Sequence, residues 1–228
     1  MNKLAVFVEG QTEQIFVEKL LTELAGSNNI HIDKCKLLGG YRKVLHLSRK
    51  NTREKYFAYI IDCHGDSTVK SDIMENYDNL VTQGYHSIIG IRDVYPLSRT
   101  DIPKLRQWLY YGVKTKYVTP VFILSVMEVE AWFMAEHTHF QRIHDRLTID
   151  RIKRELGFDP SQDNMELRDH PAQDLHEIYR LEGLVYQKTF SQAKRTVKAL
   201  DYANVYFNLK SKISAIEELS SEIDRFMK

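Results

Sequence analysis

The sequence predicts an α/β protein with a mostly parallel sheet of four or five strands, helices on both faces, and a helical region at the C-terminus. Three observations carry this. Through residue 136, short apolar runs of strand length alternate with amphipathic stretches at helical spacing. Repeated strand–helix–strand units imply parallel strands joined by right-handed crossovers. After about residue 137 the strand-like runs stop and only helical patterns continue. The expected division is an α/β domain over residues 1–136 and a helical region over residues 137–228 packed on it.

The elements follow in order. Leu4 to Val8 is a continuous apolar run, as expected of a strand buried on both faces, and it stops at Glu9-Gly10. Gln11 to Leu24 carries Phe16, Leu20, Leu21 and Leu24 at helical spacing, and the turn-tolerant run from Gly26 to Asn29 ends it. Ile30 to Leu38 alternates apolar and polar residues and reads as a half-exposed strand broken by Gly39-Gly40. Tyr56 to Ile61 is a second buried strand, stopping at Asp62. Ser71 is the expected N-cap of a helix through Leu80. Ser87 to Ile91 is a strand ending at Arg92-Asp93, and Thr100 to Tyr111 is a helix with Pro103 in its first turn. Val121 to Val126 is a fifth strand that runs into a helical segment from Met127 to Ala135. Beyond it, helices are expected from Thr148 to Leu156 (ended by Gly157), from Pro171 to Leu181 and from Ser191 to Leu200. In the last helix, Ile213, Ile216, Leu219, Ile223 and Phe226 form a stripe suited to core packing.

Composition narrows the function. Hydrophobic residues make up 43% and charged residues 28%, an ordinary balance for a folded soluble chain. The formal net charge of +1 argues against a uniformly basic coat for nucleic acid, though not against a local patch. Such a patch lies between Asp33 and Lys55, where Lys34, Lys36, Arg42, Lys43, Arg49, Lys50, Arg53 and Lys55 face only two acids. It suits a phosphate backbone or, equally, a solvated face. Lys188, Lys194, Arg195 and Lys198 form a second basic stretch. Two cysteines, Cys35 and Cys63, cannot build a disulfide scaffold and fit a reducing cytoplasm. Glu9 interrupts the first apolar run, so no secretory signal is expected, and no apolar stretch reaches the ~18 residues of a membrane span.

The acids are placed informatively. Glu9, Asp62 and Asp93 each end a buried-type strand, and a fourth strand runs into Glu128 and Glu130. The C-terminal edge of a parallel sheet is where ligands bind. Carboxylates gathered there repel one another unless a cation neutralises them, and hard oxygen ligands select Mg²⁺, Mn²⁺ or Ca²⁺ over zinc. Any one of these acids also suits a turn or a helix cap, Glu128 also suits solvent, and Glu13 suits the first turn of its helix. Other chemistries find little footing. No His-Glu-x-x-His, no Gly-x-Ser-x-Gly and no phosphate-loop motif occurs. His64, beside Asp62, suits a surface loop more often than an acid/base role, and the adjacent Cys63 and His64 do not form a nucleophile–base pair.

The segment Val8-Glu9-Gly10-Gln11-Thr12-Glu13 resembles the opening motif of Toprim domains, the metal-binding α/β folds of topoisomerases, primases and OLD-family nucleases. Ile91 to Pro96 and Met127 to Phe133 resemble segments of a bacterial Toprim-like family known only as a domain of unknown function. The resemblance spans most of the chain. It implies a Toprim- or Rossmann-like fold and a Mg²⁺- or Mn²⁺-dependent nuclease, with a link to bacterial defence. It makes Glu9 the Toprim glutamate, a catalytic acid/base or a ligand. With the strand-end acids, the candidate metal ligands are Glu9, Asp62, Asp93 and Glu130, where Asp62 and Asp93 share the role or one of them is structural. Arg92, beside Asp93, suits a phosphate clamp or a pair with a neighbouring acid, and the resemblance implies that Lys188, following Tyr186, lies near the active cleft. The pattern departs from the usual Asp-x-Asp pair: Asp62-Cys63-His64 has histidine in the second place. A non-catalytic nucleotide- or nucleic-acid-binding module acting with a partner is therefore the alternative, and a small-molecule phosphohydrolase is a third reading. Because OLD-type Toprims work beside ATPase domains and this chain has no such motif, a separate ATPase partner is conceivable.

Overall fold

A computed structural model describes residues 1–38, 41–47, 54–65 and 68–228, and the side chains of all of these except residues 38, 41 and 42. Gly39, Gly40, Asp66 and the basic residues Arg49, Lys50 and Arg53 lie outside the described residues. The strands are β1 (Asn2–Val8), β2 (Ile30–Leu38), β3 (Tyr41–His46), β4 (Tyr56–Asp62), β5 (Ser87–Asp93) and β6 (Val121–Ser125). The helices are α1 (Gln11–Ala25), α2 (Thr68–Thr82), α3 (Ile102–Tyr110), α4 (Glu130–Ala135), α5 (His139–Ile143), α6 (Ile149–Leu156), α7 (Pro171–Arg180), α8 (Phe190–Ala199), α9 (Tyr202–Phe207) and α10 (Ser214–Met227).

The six strands form one sheet in the order β3-β2-β4-β1-β5-β6. β1 is central and runs parallel to β4 on one side and β5 on the other. Leu4 to Val8 are all buried, so residues of both parities are covered, as a parallel sheet flanked on both faces requires. The sixth strand exceeds the sequence expectation of four or five. It is β3, which pairs antiparallel with β2 at the edge, with Cys35 opposite Val44. Val44 and Leu45 are exposed there, so burial leaves no apolar alternation to read.

The chain divides into two compact units, one comprising Met1–Arg92, Thr100–Leu124 and Glu218–Lys228, the other Asp93–Arg99 and Ser125–Glu217. In the first, α1 is braced against the sheet by Gln14, whose amide donates to the carbonyls of Cys35 (2.9 Å) and Ile60 (3.0 Å). Gly90 on β5 lets α2 approach closely. A Cβ there would stand 2.9 Å from Ile73 Cδ1 and Phe122 Cδ1 and 3.0 Å from Val69 Cγ1. Ser71 is not the cap expected of it: α2 begins at Thr68, and the Ser71 hydroxyl donates back to the Thr68 carbonyl at 2.9 Å. The end of α10 is fixed by Asn2 Nδ2 on the Phe226 carbonyl (3.0 Å) and by the Tyr56 hydroxyl on that of Met227 (2.9 Å).

The second unit is helical, as the sequence indicates. Ala131 to Met134, Phe140, Ile178 and Tyr179 are buried in it. Thr148 caps α6 through the Arg151 N–H, and Gly157 ends that helix at φ +78°. Of the predicted stripe, Ile213 and Ile216 belong to this unit and Leu219, Ile223 and Phe226 to the first, and all five are buried. Among the described residues, no helix is long and apolar enough to cross a membrane.

Candidate functional site

The sheet topology fixes where a ligand can approach the first unit. From β1 the chain passes through α1 to β2 on one side, whereas from β4 it passes through α2 to β5 on the other. With right-handed crossovers, α1 and α2 lie on opposite faces, so the switch point falls between β1 and β4. Glu9 and Asp62 stand there. Val8 pairs with Asp62, and Glu9 follows Val8 directly. Asp62 is buried, and Glu9 is partly exposed.

The loop after β4 is built around this position. The Cys63 N–H donates to the Val8 carbonyl (2.8 Å) and that of Gly65 to the Glu9 carbonyl (3.2 Å), tying the two strand ends together. His64 adopts φ +55°, and its N–H donates to Asp62 Oδ1 at 2.9 Å. The other Asp62 oxygen lies 3.4 Å from Lys36 Nζ, on the neighbouring β2. On the far side of β1, Ile91 pairs with Val8, so Arg92 comes level with Glu9. Arg92 is largely buried, with its guanidinium carbon 5.5 Å from the Trp108 ring.

A second polar cluster belongs to the helical unit. There, the Val94 N–H donates to the Ser125 carbonyl and that of Tyr95 to the Met127 carbonyl, both at 2.9 Å. Met127 takes φ +63°, a left-handed turn that leads into Glu128 and Glu130. Lys188, itself at φ +55°, reaches Glu128 Oε1 at 2.8 Å and Glu130 Oε2 at 3.1 Å. The Tyr186 hydroxyl donates to Glu130 Oε1 at 2.7 Å, and the Ala172 N–H at the start of α7 donates to Glu128 Oε2 at 2.9 Å. Burial pushes the Glu130 carboxyl above its ordinary value, against the pull of Lys188. Burial alone would lower the Lys188 ammonium, but the charges of Glu130, Glu128 and Asp93 outweigh it and hold the pKa well above the usual range. Lys188 thus stays charged beside these acids, while burial favours the protonated form of the deepest, Glu130.

Comparison with protein families, curated proteins and solved structures returns no match.

The candidate residues therefore fall into two groups. Glu9, Asp62 and Arg92 lie at the sheet edge of the first unit, and Asp93, Glu130 and Lys188 lie together in the second. Among the described residues, no three His, Cys, Asp or Glu side chains are grouped to hold a metal ion. Around Glu128 and Glu130, Lys188 already supplies the neutralising charge. The Glu9–Asp62 pair differs: Mg²⁺ is usually held by one or two carboxylates, with waters and substrate phosphates completing its shell. The donor chemistry at the β1–β4 switch point fits that pattern.

Sequence reading undervalued three residues. Glu128, which also suited solvent, is an ion-pair partner with only 13% of its side chain exposed. Tyr186 has no signal in the sequence beyond its place two residues before Lys188, and Lys36 none beyond a basic run. No local signal joins residues 60 apart, although the glutamates at 128 and 130 near a strand end gave half of the cluster. Of that basic run, Lys34 pairs with Glu18 and Lys36 with Asp62. His64 is an exposed loop histidine, as expected.

Proposed function

We propose that the chain is a Toprim-type hydrolase of nucleic-acid phosphodiesters that uses Mg²⁺ or Mn²⁺, with the sheet edge of the first unit as its working site. The observation that supports this most is that Asp62 ends β4 and Glu9 directly follows β1, its parallel neighbour, at the topological switch point. Glu9 and Asp62 would hold the ion, which when bound would neutralise phosphate charge and lower the pKa of a bound water. Asp62 is oriented for this by the His64 N–H. Glu9, the more exposed of the two, is placed to move a proton to or from a reacting oxygen. Lys36 and Arg92, on the strands flanking the pair, supply positive charge for a phosphate. Glu130 and Asp93 serve instead to hold Lys188.

A binding module without hydrolysis is the second reading, favoured by one observation: Lys36 already faces Asp62, so the acid has a cation of its own. In either case an ATPase, if one is involved, is a separate chain. Calorimetric titration of Mn²⁺ into the protein, with a phosphorothioate oligonucleotide present, separates the two. Hydrolysis requires Mn²⁺ binding that Asp62→Asn weakens. No binding in the unaltered protein favours the module.

A further inference from the structure

The first unit carries an aromatic surface surrounded by positive charge. On α3, Leu105 and Leu109 are buried, whereas Trp108 is 45% exposed and Tyr110 is also exposed. Tyr111 just after it is 80% exposed and Tyr117 65%. Tyr110 is anchored, its hydroxyl accepting from the Phe122 N–H at 3.1 Å, which leaves Trp108, Tyr111 and Tyr117 as the rings open to a ligand. Their neighbours indicate its charge. Lys70 Nζ lies 4.6 Å from the centre of the Trp108 ring and donates to the Trp108 (2.6 Å) and Tyr111 (2.8 Å) carbonyls, which fixes the ammonium at the C-terminal end of α3. Arg92 approaches the same ring from β5, and Lys116 lies 4.9 Å from the Tyr117 ring. Among the described residues, none of Lys70, Arg92 and Lys116 is ion-paired with a carboxylate, whereas Lys114 is held by Asp78. The formal charge beside the Trp108 and Tyr117 rings is therefore positive, with the α3 carbonyls taking up part of that of Lys70.

We infer that this surface is a stacking platform for single-stranded nucleic acid, with Trp108 as its principal base-stacking residue. Exposed aromatic faces interleaved with cations suit unpaired bases, because every base has a π-face while the cations follow the phosphates. A duplex hides its bases and gives the rings nothing to stack on. The inference rests on the reading of the sheet edge as a nucleic-acid site and adds the strand state of the substrate. Arg92 links the two, since it stands level with Glu9 and contacts Trp108.

The test uses the full chain and a labelled oligothymidylate at low salt, with a duplex of equal length and polyglutamate as comparison ligands. The chain has two tryptophans and Trp132 is buried, so quenching of tryptophan fluorescence reports stacking at Trp108. The expected result is tighter binding of the single strand than of the duplex, quenching on binding, and affinity lower by on the order of ten-fold in Trp108→Ala but kept in Trp108→Phe. Equal affinity of Trp108→Ala and the unaltered protein, preference for duplex or polyglutamate, or no binding would each overturn the inference. Cleavage with Mn²⁺ is scored separately. Stacking at Trp108 without cleavage leaves the platform standing and removes the hydrolase. Cleavage with unchanged binding by Trp108→Ala does the reverse.

Discussion

Replacing Lys188 by Met keeps the aliphatic stem and removes the ammonium from between Glu128 and Glu130. Glu130 is fully enclosed and, among the described residues, would keep the Tyr186 hydroxyl as its hydrogen-bond partner, with the Glu128 charge still nearby. Stripping one partner from a buried ion pair costs about 3–5 kcal/mol. Because 37% of the Lys188 side chain is exposed, water reaches the vacated head, which favours the lower end, about 3 kcal/mol. For a chain of this length that is a fall in Tm of roughly 6–12 °C. The deficit depends on pH with a definite sign. Burial already raises the Glu130 pKa, and losing Lys188 raises it further. The stabilising contribution of a raised carboxyl is complete below its unfolded value, about 4.3, and is lost as pH rises through the folded value. The variant should therefore approach the parent near pH 5 or below and fall behind it towards pH 8. Thermal unfolding followed by circular dichroism across that range measures the effect, and Lys188→Met with Glu130→Gln should recover much of the loss. A deficit below about 1 kcal/mol, or one that does not change with pH, would refute the reasoning.

Two further predictions concern packing and titration. Gly90→Ala places a Cβ 2.9 Å from Ile73 and Phe122 side-chain carbons and should destabilise the protein by about 1–3 kcal/mol in urea unfolding; an unchanged midpoint would contradict the packing of α2 on β5. His139 is enclosed, with Nδ1 2.6 Å from the Glu136 carbonyl and Nε2 3.0 Å from the Tyr179 hydroxyl, and burial pushes its pKa down to about 4. Its contribution to stability is present above about pH 6.5 and lost as pH falls through about 4, so its imidazole resonances should stay those of the neutral form at pH 5. Titration near 6.5 would count against this.

The parallel core was legible from a continuous apolar run in β1, which differs from its reading only by Asn2 and Lys3 at the start, and from apolar–polar alternation in β2, whose bounds match. β3 was not, because Tyr41–His46 is an edge strand with no buried face among its described side chains to leave an alternation. The short helices α5 and α9 offer too few turns for a period to register. Glu9 and Asp62 could be picked out because strand ends are visible in sequence and a parallel sheet places them on one edge. The clamp on Lys188 could not. It depends on left-handed backbone at Met127 and Lys188, which side-chain identity does not announce at non-glycine positions. The platform at Trp108 was hidden for a similar reason, since its cations come from α2, β5 and the segment after α3.

Glu9 is the residue on which the proposed hydrolysis most directly depends. Its test is the rate at which the purified chain cleaves a single-stranded oligonucleotide in Mn²⁺, with and without chelator, beside Glu9→Gln. A positioned acid/base contributes on the order of 10²–10⁴-fold. Chelator-sensitive cleavage that drops by at least about 100-fold in Glu9→Gln, with the parent's Tm kept, is the expected result. Cleavage by Glu9→Gln at the parental rate would contradict it.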